Sequence, residues 1–225
     1  MKLMPSFLSG LGSSLKSLAK DVVSKVGPDV LQFGEVSVVA TDLIAEGGFS
    51  YVYTAREVAA TMAPKQFALK KVLVQDAETR ALAEVEIRVL HQFSGQRGFV
   101  VCYGSFSRPA ASPAGATEYW MLLELCPNGS LIDLLYRRPR GGGFERLPTM
   151  PQLRILRIFE QVAGAVASMH AADPPVMHRD LKLENVLVTA SHSFVLCDFG
   201  SACTEVLPAE RTRQRALVEE ERIHK

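Results

Sequence analysis

Long apolar runs are missing from this chain: nowhere in its 225 residues does one approach the roughly 18 positions that a membrane-spanning helix needs. The N-terminus also lacks a compact apolar core followed by a small-residue cleavage site, so a location inside the cell, in the cytoplasm, is expected. Cysteine is scarce. Cys102, Cys126, Cys197 and Cys203 follow neither a paired metal-ligand spacing nor a disulfide framework, and no histidine cluster accompanies them. That pattern argues against a zinc module or a stapled secreted scaffold and suits a reducing compartment. An excess of charge of one sign is missing as well. A formal net charge of +1 supplies no long-range field for nucleic acid, so binding is expected at a defined cleft, with no nucleic-acid partner.

What the chain does have is apolar material, 48% hydrophobic residues over a length that can bury a core in one large domain or two lobes. It also has one dense stretch of chemistry, His178-Arg179-Asp180-Leu181-Lys182-Leu183-Glu184-Asn185, followed shortly by Asp198-Phe199-Gly200. Val186 to Thr189 and Ser193 to Cys197 read as two short strands around a polar turn. Such a hairpin brings Asn185 and Asp198 side by side as hard oxygen ligands for magnesium, with Asp180 as a carboxylate able to accept a hydroxyl proton. A charged loop and a chance Asp-Phe-Gly is the simpler alternative, and the full octet with the triplet at this separation argues against it.

The remaining chain falls into place around that stretch. Leu15, Leu18, Ala19, Val22, Val23 and Val26 recur at helical spacing among Lys16, Lys20 and Lys25, stopped by Gly27-Pro28. This basic amphipathic helix could lie on an anionic membrane surface or pack on its own lobe. From Val36 to Val74 the pattern is a β-meander: Val36 to Ala40 with Leu43-Ile44, then Ser50 to Tyr53, then Gln66 to Val72. Between the first two strands, Ala45-Glu46-Gly47-Gly48-Phe49-Ser50 offers a glycine turn whose backbone amides could approach phosphates, or a plain hairpin tip. Lys70 interrupts an apolar strand, so its ammonium must reach water or an anion, either a phosphate or a carboxylate. A helix from about 76 to 93 has an apolar stripe of Leu82, Val85, Val89, Leu90 and Phe93 that includes Glu86. Glu84 lies instead between Arg80 and Arg88 at i±4 and reads as a solvated ion-pair face. An inward carboxylate wants a cation, which pairs Glu86 with Lys70.

Phe99 to Tyr103 and Tyr119 to Leu123 read as further strands around a Pro/Ala/Gly/Ser-rich loop from Ser107 to Thr117. Glu124 to Ser130 is an extended connection, either a linker or a hinge whose backbone could bind an adenine ring. A short helix Leu131 to Leu135 and a flexible loop from Arg137 to Pro148, with Arg138 and Arg140 solvated, come next. A core helix over about 151 to 171 carries Ile155, Leu156, Phe159, Val162, Ala163, Val166 and Met169.

In order and spacing these motifs resemble the eukaryotic protein kinases over roughly residues 36 to 205. Ala45 to Phe49, Pro174-Pro175, Leu196 to Ala202 and Arg215 to Glu221 are similar, more narrowly, to the Numb-associated serine/threonine kinases. The resemblance implies an α+β, two-lobed kinase-like fold with a β-rich N-lobe and a helical, incomplete C-lobe, because Lys225 is reached before any Ala-Pro-Glu segment. The organisation expected is an N-terminal amphipathic segment over 1–35, the N-lobe and hinge over 36–126, and a partial C-lobe over 127–225 that ends in the activation segment.

The resemblance further implies ATP and Mg2+ as cofactors. Ile44, Ala45, Glu46, Gly47, Gly48 and Phe49 would cover the nucleotide, Val52 and Ala68 would sandwich its adenine, and Leu123 would stand as gatekeeper. Glu124 and Cys126 would present hinge backbone groups. Lys70 would hold the α- and β-phosphates and Glu86 would orient it. Asp180 would be the catalytic base, Lys182 would steady the transferred phosphate, and Asn185 and Asp198 would bind magnesium. The implied activity is transfer of a phosphoryl group from ATP to protein serine or threonine, with clathrin-adaptor subunits as substrates on vesicle membranes. A nucleotide-binding or interaction module without turnover is the competing expectation.

Overall fold

The computed structural model describes residues 29–58, 63–137, 139 and 142–204. The amphipathic segment around Leu15 to Val26, Arg138, Arg140 and the Arg215 to Glu221 phrase lie outside the described residues.

The first lobe is a six-stranded antiparallel sheet: β1 (Leu31–Phe33), β2 (Val36–Glu46), β3 (Ser50–Glu57), β4 (Gln66–Val74), β5 (Cys102–Pro109) and β6 (Thr117–Glu124), in the order β1-β2-β3-β4-β6-β5. Strand alternation in β4 sends Phe67 and Leu69 to one face and Ala68, Lys70 and Val72 to the other. The register sets Lys70 opposite Val52 on one side and Met121 on the other, and Ala68 opposite Leu123. Val52, Ala68, Lys70, Met121 and Leu123 therefore share a face. On the reverse face Tyr53, Phe67, Leu69, Trp120 and Leu122 bury together with Leu31 and Phe33. Phe33 lies 5.0 Å from Phe106, so the sheet curls until β1 meets β5. β1 thus belongs to this lobe although it falls within the 1–35 segment that the sequence sets apart. Trp120 is fully buried between Lys71 and Arg108, at 5.2 and 5.5 Å, and both cations reach Glu118, at 2.5 and 2.9 Å.

α1 (Ala77–Phe93) begins at Asp76, whose carboxylate accepts the Thr79 amide at 2.7 Å. Its inward face is Ala83, Glu86, Val89, Leu90 and Phe93. Leu82, expected on that face, is exposed, because the stripe runs through Ala83 instead. Glu84 is on the exposed face as expected, but its partner is the Tyr119 hydroxyl at 3.2 Å rather than Arg80 or Arg88. Residues 99–101, expected as a strand, form a seam to the second lobe. The Gly98 carbonyl accepts the Leu196 amide at 2.8 Å, and Val100 donates to the Leu196 carbonyl at 3.1 Å. Gly98 has φ +90 and a Cβ there would stand 2.8 Å from the Ala165 Cβ, so only glycine fits. The loop between β5 and β6 is only residues 110–116, since pairing continues to Pro109 opposite Thr117.

The second lobe contains α2 (Gln152–His170), the hairpin of β7 (Tyr136–Arg137) and β8 (Glu145–Arg146), and the hairpin of β9 (Val186–Val188) and β10 (Phe194–Leu196). The short helix expected at Leu131 to Leu135 is a 3-10 turn over Ile132–Leu134. Where a flexible loop is expected, β7 and β8 pair and Arg137 meets Glu145 at 2.7 Å. α2 packs on β10 through Ile158, Ala165 and Met169, with Val162 and Val166 half-buried. Leu153, Ile155, Leu156 and Phe159 point away from the described core, Leu156 and Phe159 at 64% and 70% exposure. Four of the seven residues expected in the α2 core, Ile155, Leu156, Phe159 and Ala163, therefore face outward.

Adjacent α2 positions should respond oppositely. Ile158→Ala is expected to lower stability by about 2–5 kcal/mol, and Phe159→Gln to change it by no more than about 0.5 kcal/mol while raising solubility. Chemical denaturation of the two variants checks this, and equal losses would contradict the orientation of α2.

Candidate active site

Three elements meet at one ammonium. Lys70 on β4 lies 2.6 Å from Glu86 Oε1 on α1 and 2.8 Å from Asp198 Oδ1 just beyond β10. Lys70 is 8% exposed and Glu86 3%. Burial alone would lower the Lys70 pKa, but the Glu86 and Asp198 carboxylates outweigh it and hold the ammonium above the ordinary lysine value. Burial likewise would raise the Asp198 pKa, and the Lys70 charge and hydrogen bond bring it below the ordinary aspartate range. Both groups are therefore charged, and the pairing expected from sequence between Lys70 and Glu86 is present.

The loop between α2 and β9 supplies the next group. Asn185 donates its side-chain amide to the Asp180 carbonyl at 2.8 Å and to Asp180 Oδ2 at 2.9 Å, while Lys182 donates to the same Oδ2 at 2.7 Å. These contacts fix the Asp180 carboxylate and use one of its oxygens. Oδ1 accepts no hydrogen bond from any described residue and can take a hydroxyl proton. The Asn185 amide nitrogen is similarly spent and its oxygen is not. Cys197 donates its backbone amide to the Asn185 carbonyl at 3.0 Å, and Leu196 pairs with Val186. Asn185 and Asp198 consequently stand at adjacent hairpin ends.

Backbone strain concentrates here. Among the described residues, the non-glycine positions in the left-handed region are Arg179 (φ 63), Asp198 (φ 60) and His192 in the β9–β10 turn (φ 61). The surroundings hold the first two in place. Phe199 is fully buried, 5.2 Å from the His178 ring and 6.3 Å from Phe99, which stacks on Phe93 of α1 at 4.6 Å. His178 donates from Nε2 to the Cys197 carbonyl at 3.1 Å and accepts the Asp180 amide at Nδ1, 3.4 Å. A ring that donates at one nitrogen and accepts at the other is neutral, in keeping with burial lowering its pKa. Neither the bridging by His178 nor the packing of Phe199 on Phe99 was evident from the sequence; the place of His178 at the head of the octet is the only signal for it.

The residues expected around a nucleotide line the open side of the same face. Ile44, Ala45 and Glu46 end β2, Gly47, Gly48 and Phe49 make the turn, and Val52 opposes Lys70. The Gly47 amide is taken by the Ser50 carbonyl at 2.8 Å, whereas those of Gly48 and Phe49 meet no acceptor among the described residues. Neither glycine adopts a left-handed φ, and only Gly47 is short of space, since a Cβ there would stand 2.9 Å from Ser50 Oγ. A Cβ on Gly48 would touch nothing within 4 Å. Leu123 is buried beside Ala68. At the connection, the Glu124 amide is engaged by the Val101 carbonyl at 2.8 Å, and the Cys126 amide meets no described acceptor. Of these two only Cys126 offers a free N–H. Burial pushes the Cys126 thiol up to about 12, so it remains protonated.

Magnesium fits this donor set in a particular way. No group of three or more His, Cys, Asp or Glu side chains among the described residues could hold a metal alone. Asn185 and Asp198 provide two hard oxygens, which suits an ion that completes its octahedron with phosphate and water oxygens.

A family model described as the protein kinase domain matches residues 39–217. The chain is similar to the serine/threonine-protein kinase ppk30 of Schizosaccharomyces pombe, 37% identical over 84% of this chain and 19% of the relative. It is similar to the protein kinase domain-containing protein ppk38 of the same yeast, 39% identical over 80% of this chain and 26% of the relative. Actin-regulating kinase 1 of Saccharomyces cerevisiae is 31% identical over 85% of this chain and 29% of its own length. The chain therefore spans 19% to 29% of the length of these relatives. The fold is accordingly the two-lobed α+β arrangement of that domain, and the chain belongs to the protein kinase family.

Proposed function

We propose that this chain carries the nucleotide-binding and phosphoryl-transfer machinery of a protein serine/threonine kinase of the Numb-associated type. The observation that carries the reading is the convergence of Lys70, Glu86, Asp180, Asn185 and Asp198, with one oxygen each on Asp180 and Asn185 left open. ATP bound with magnesium would supply the phosphoryl group. Lys70 is placed to hold the α- and β-phosphates, with Glu86 fixing its direction, and Asn185 and Asp198 would hold the metal. The Cys126 N–H would donate to the adenine edge, Val52 and Ala68 would cover the ring from the sheet face they share, Leu123 would close the back, and Ile44 to Phe49 would cover the phosphates. Asp180 Oδ1 takes the proton of a serine or threonine hydroxyl while Oδ2 stays on Lys182 and Asn185, and Lys182 turns its charge toward the transferred group.

The resemblance to the Numb-associated group extends the proposal to clathrin-adaptor subunits as substrates in vesicle traffic and to the cytoplasm as location. The basic segment around Leu15 to Val26 would add a peripheral contact with vesicle membranes.

In the full-length protein, Asp180→Asn should lower transfer of labelled phosphate to a serine/threonine peptide by about 10²- to 10⁴-fold. Unchanged turnover would sink the assignment. Absent turnover in the unaltered protein, with ATP still bound, would favour the non-catalytic module.

The pKa shifts predict a pH dependence. In the native protein the Asp198 contribution is complete above about pH 3.9, the unfolded aspartate value, and the Lys70 contribution is complete below about pH 10.4. Neither Asp198 nor Lys70 therefore titrates between those values. In Lys70→Met, Asp198 loses the charge and hydrogen bond that bring its pKa down, while the burial that raises it remains. A raised carboxylate stabilises at low pH and loses that contribution as pH rises. The stability deficit of Lys70→Met should thus grow from pH 5 to pH 8, reaching about 3–5 kcal/mol. His178 loses stability below about pH 6.5 in both proteins, so it cancels in the difference. Denaturant melts at several pH values measure the deficit, and one that shrinks as pH rises would contradict the charge assignment.

A further inference from the structure

We propose that Tyr119 is a positioning residue, whose hydroxyl latches the N-terminal half of α1 to β6 and so keeps Glu86 on Lys70. The proposal rests on the reading of Lys70 as the phosphate ligand. α1 is held unevenly along its length. Its large buried apolar side chains, Val89, Leu90 and Phe93, lie in the C-terminal half, where Phe93 also stacks on Phe99. In the N-terminal half Ala83 is buried, Val85 is only half-buried against the core, and Leu82 is exposed. Glu86, whose carboxylate must reach Lys70 Nζ at 2.6 Å, stands at the junction of the two halves.

Tyr119 meets this weakly packed half. It pairs with Val72 in the sheet, and its neighbour two residues on, Met121, pairs with Lys70, so Tyr119 rises from the same face as Lys70. Arg80 Nη1 donates to its hydroxyl at 3.2 Å, and the hydroxyl donates to Glu84 Oε1 at 3.2 Å. Arg80 Nη2 adds a bond to Thr117 Oγ1 at 3.4 Å, one end of the same strand. A phenol has one proton to give and lone pairs to receive, and here it does both. Arg80 and Glu84 stand one turn apart, so a single hydroxyl pins one turn of the helix against rotation. Since Glu86 belongs to the next half-turn, a small rotation of α1 would carry its carboxylate off the ammonium. Hydrogen bonds to charged partners are the stronger kind, enough for a latch on a segment with little apolar burial.

Tyr119→Phe keeps the ring and removes the latch, so it separates positioning from packing. The full-length protein is compared by hydrogen exchange and by affinity for magnesium-ADP and for adenosine, which has no phosphates for Lys70 to reach. We expect Tyr119→Phe to speed exchange at amides 80–86 about tenfold while β4 and β6 amides are unchanged. ADP affinity should fall several-fold and adenosine affinity should not. Glu84→Leu should reproduce this, and Glu84→Gln, which retains an acceptor oxygen, should largely restore normal behaviour. Lys70→Met is the control on the underlying reading. If it leaves the ratio of ADP to adenosine affinity unchanged, Lys70 is not the phosphate ligand, whatever Tyr119 does. If it collapses that ratio while Tyr119→Phe leaves both ratio and exchange at their normal values, the latch is overturned. Uniformly faster exchange in α1 and the sheet would overturn it too, since the hydroxyl would then serve general stability.

Discussion

The ammonium of Lys70 is the interaction on which the rest of this structure depends. An isolated charge buried to this degree would cost several kcal/mol, and it is tolerated because two carboxylates from separate elements close on it. Glu86 arrives on a helix that follows β4, and Asp198 on the hairpin far along the chain. Satisfying the one charge therefore sets the position of α1 and the approach of the second lobe together. Asp198 remains 46% exposed at its side chain, so the far end of the triad opens to solvent while the Glu86 end is sealed.

Behind the triad the two lobes share a rigid seam. Gly98 approaches Ala165 too closely for any side chain, Leu196 exchanges hydrogen bonds with the 98–100 backbone, and Phe199 lies between Phe99 and His178. This packing explains how Asp198 can keep a left-handed backbone that is unfavourable for a residue with a Cβ. The neutral His178 completes the arrangement by joining the Cys197 carbonyl to the Asp180 amide, which ties the loop carrying Asp180 to the backbone beside Asp198.

Much of this was readable in the chain, and for identifiable reasons. A lysine inside an apolar strand and a glutamate on an apolar helix stripe each signal a buried partner, so Lys70 and Glu86 could be matched without coordinates. Asn185 and Asp198 could be matched because the strands between them are too short to separate them. Other features depend on which neighbour covers a face, and periodicity carries no information about that. Ile155, Leu156 and Phe159 repeat as a core would, yet they face outward because the described elements pack on one side of α2. Leu82 was misplaced for a related reason, since the buried stripe runs through Ala83 beside it. The two-residue strands β7 and β8 are too short for any period, and the burial of Trp120 between Lys71 and Arg108 depends on cross-strand register. Phe99 has a strand-forming composition around it, but its place is set by the contact of Gly98 with α2.

The account stands most directly on the coupling between Lys70 and Glu86, which a thermodynamic double-mutant cycle measures. Lys70→Met, Glu86→Gln and the double variant would be unfolded by denaturant at neutral pH. Because each single change strands a buried partner, the double variant should be less destabilised than the sum, by about 1–3 kcal/mol. Additivity within about 0.3 kcal/mol would mean that the two groups do not depend on each other, and would contradict the structure's central interaction.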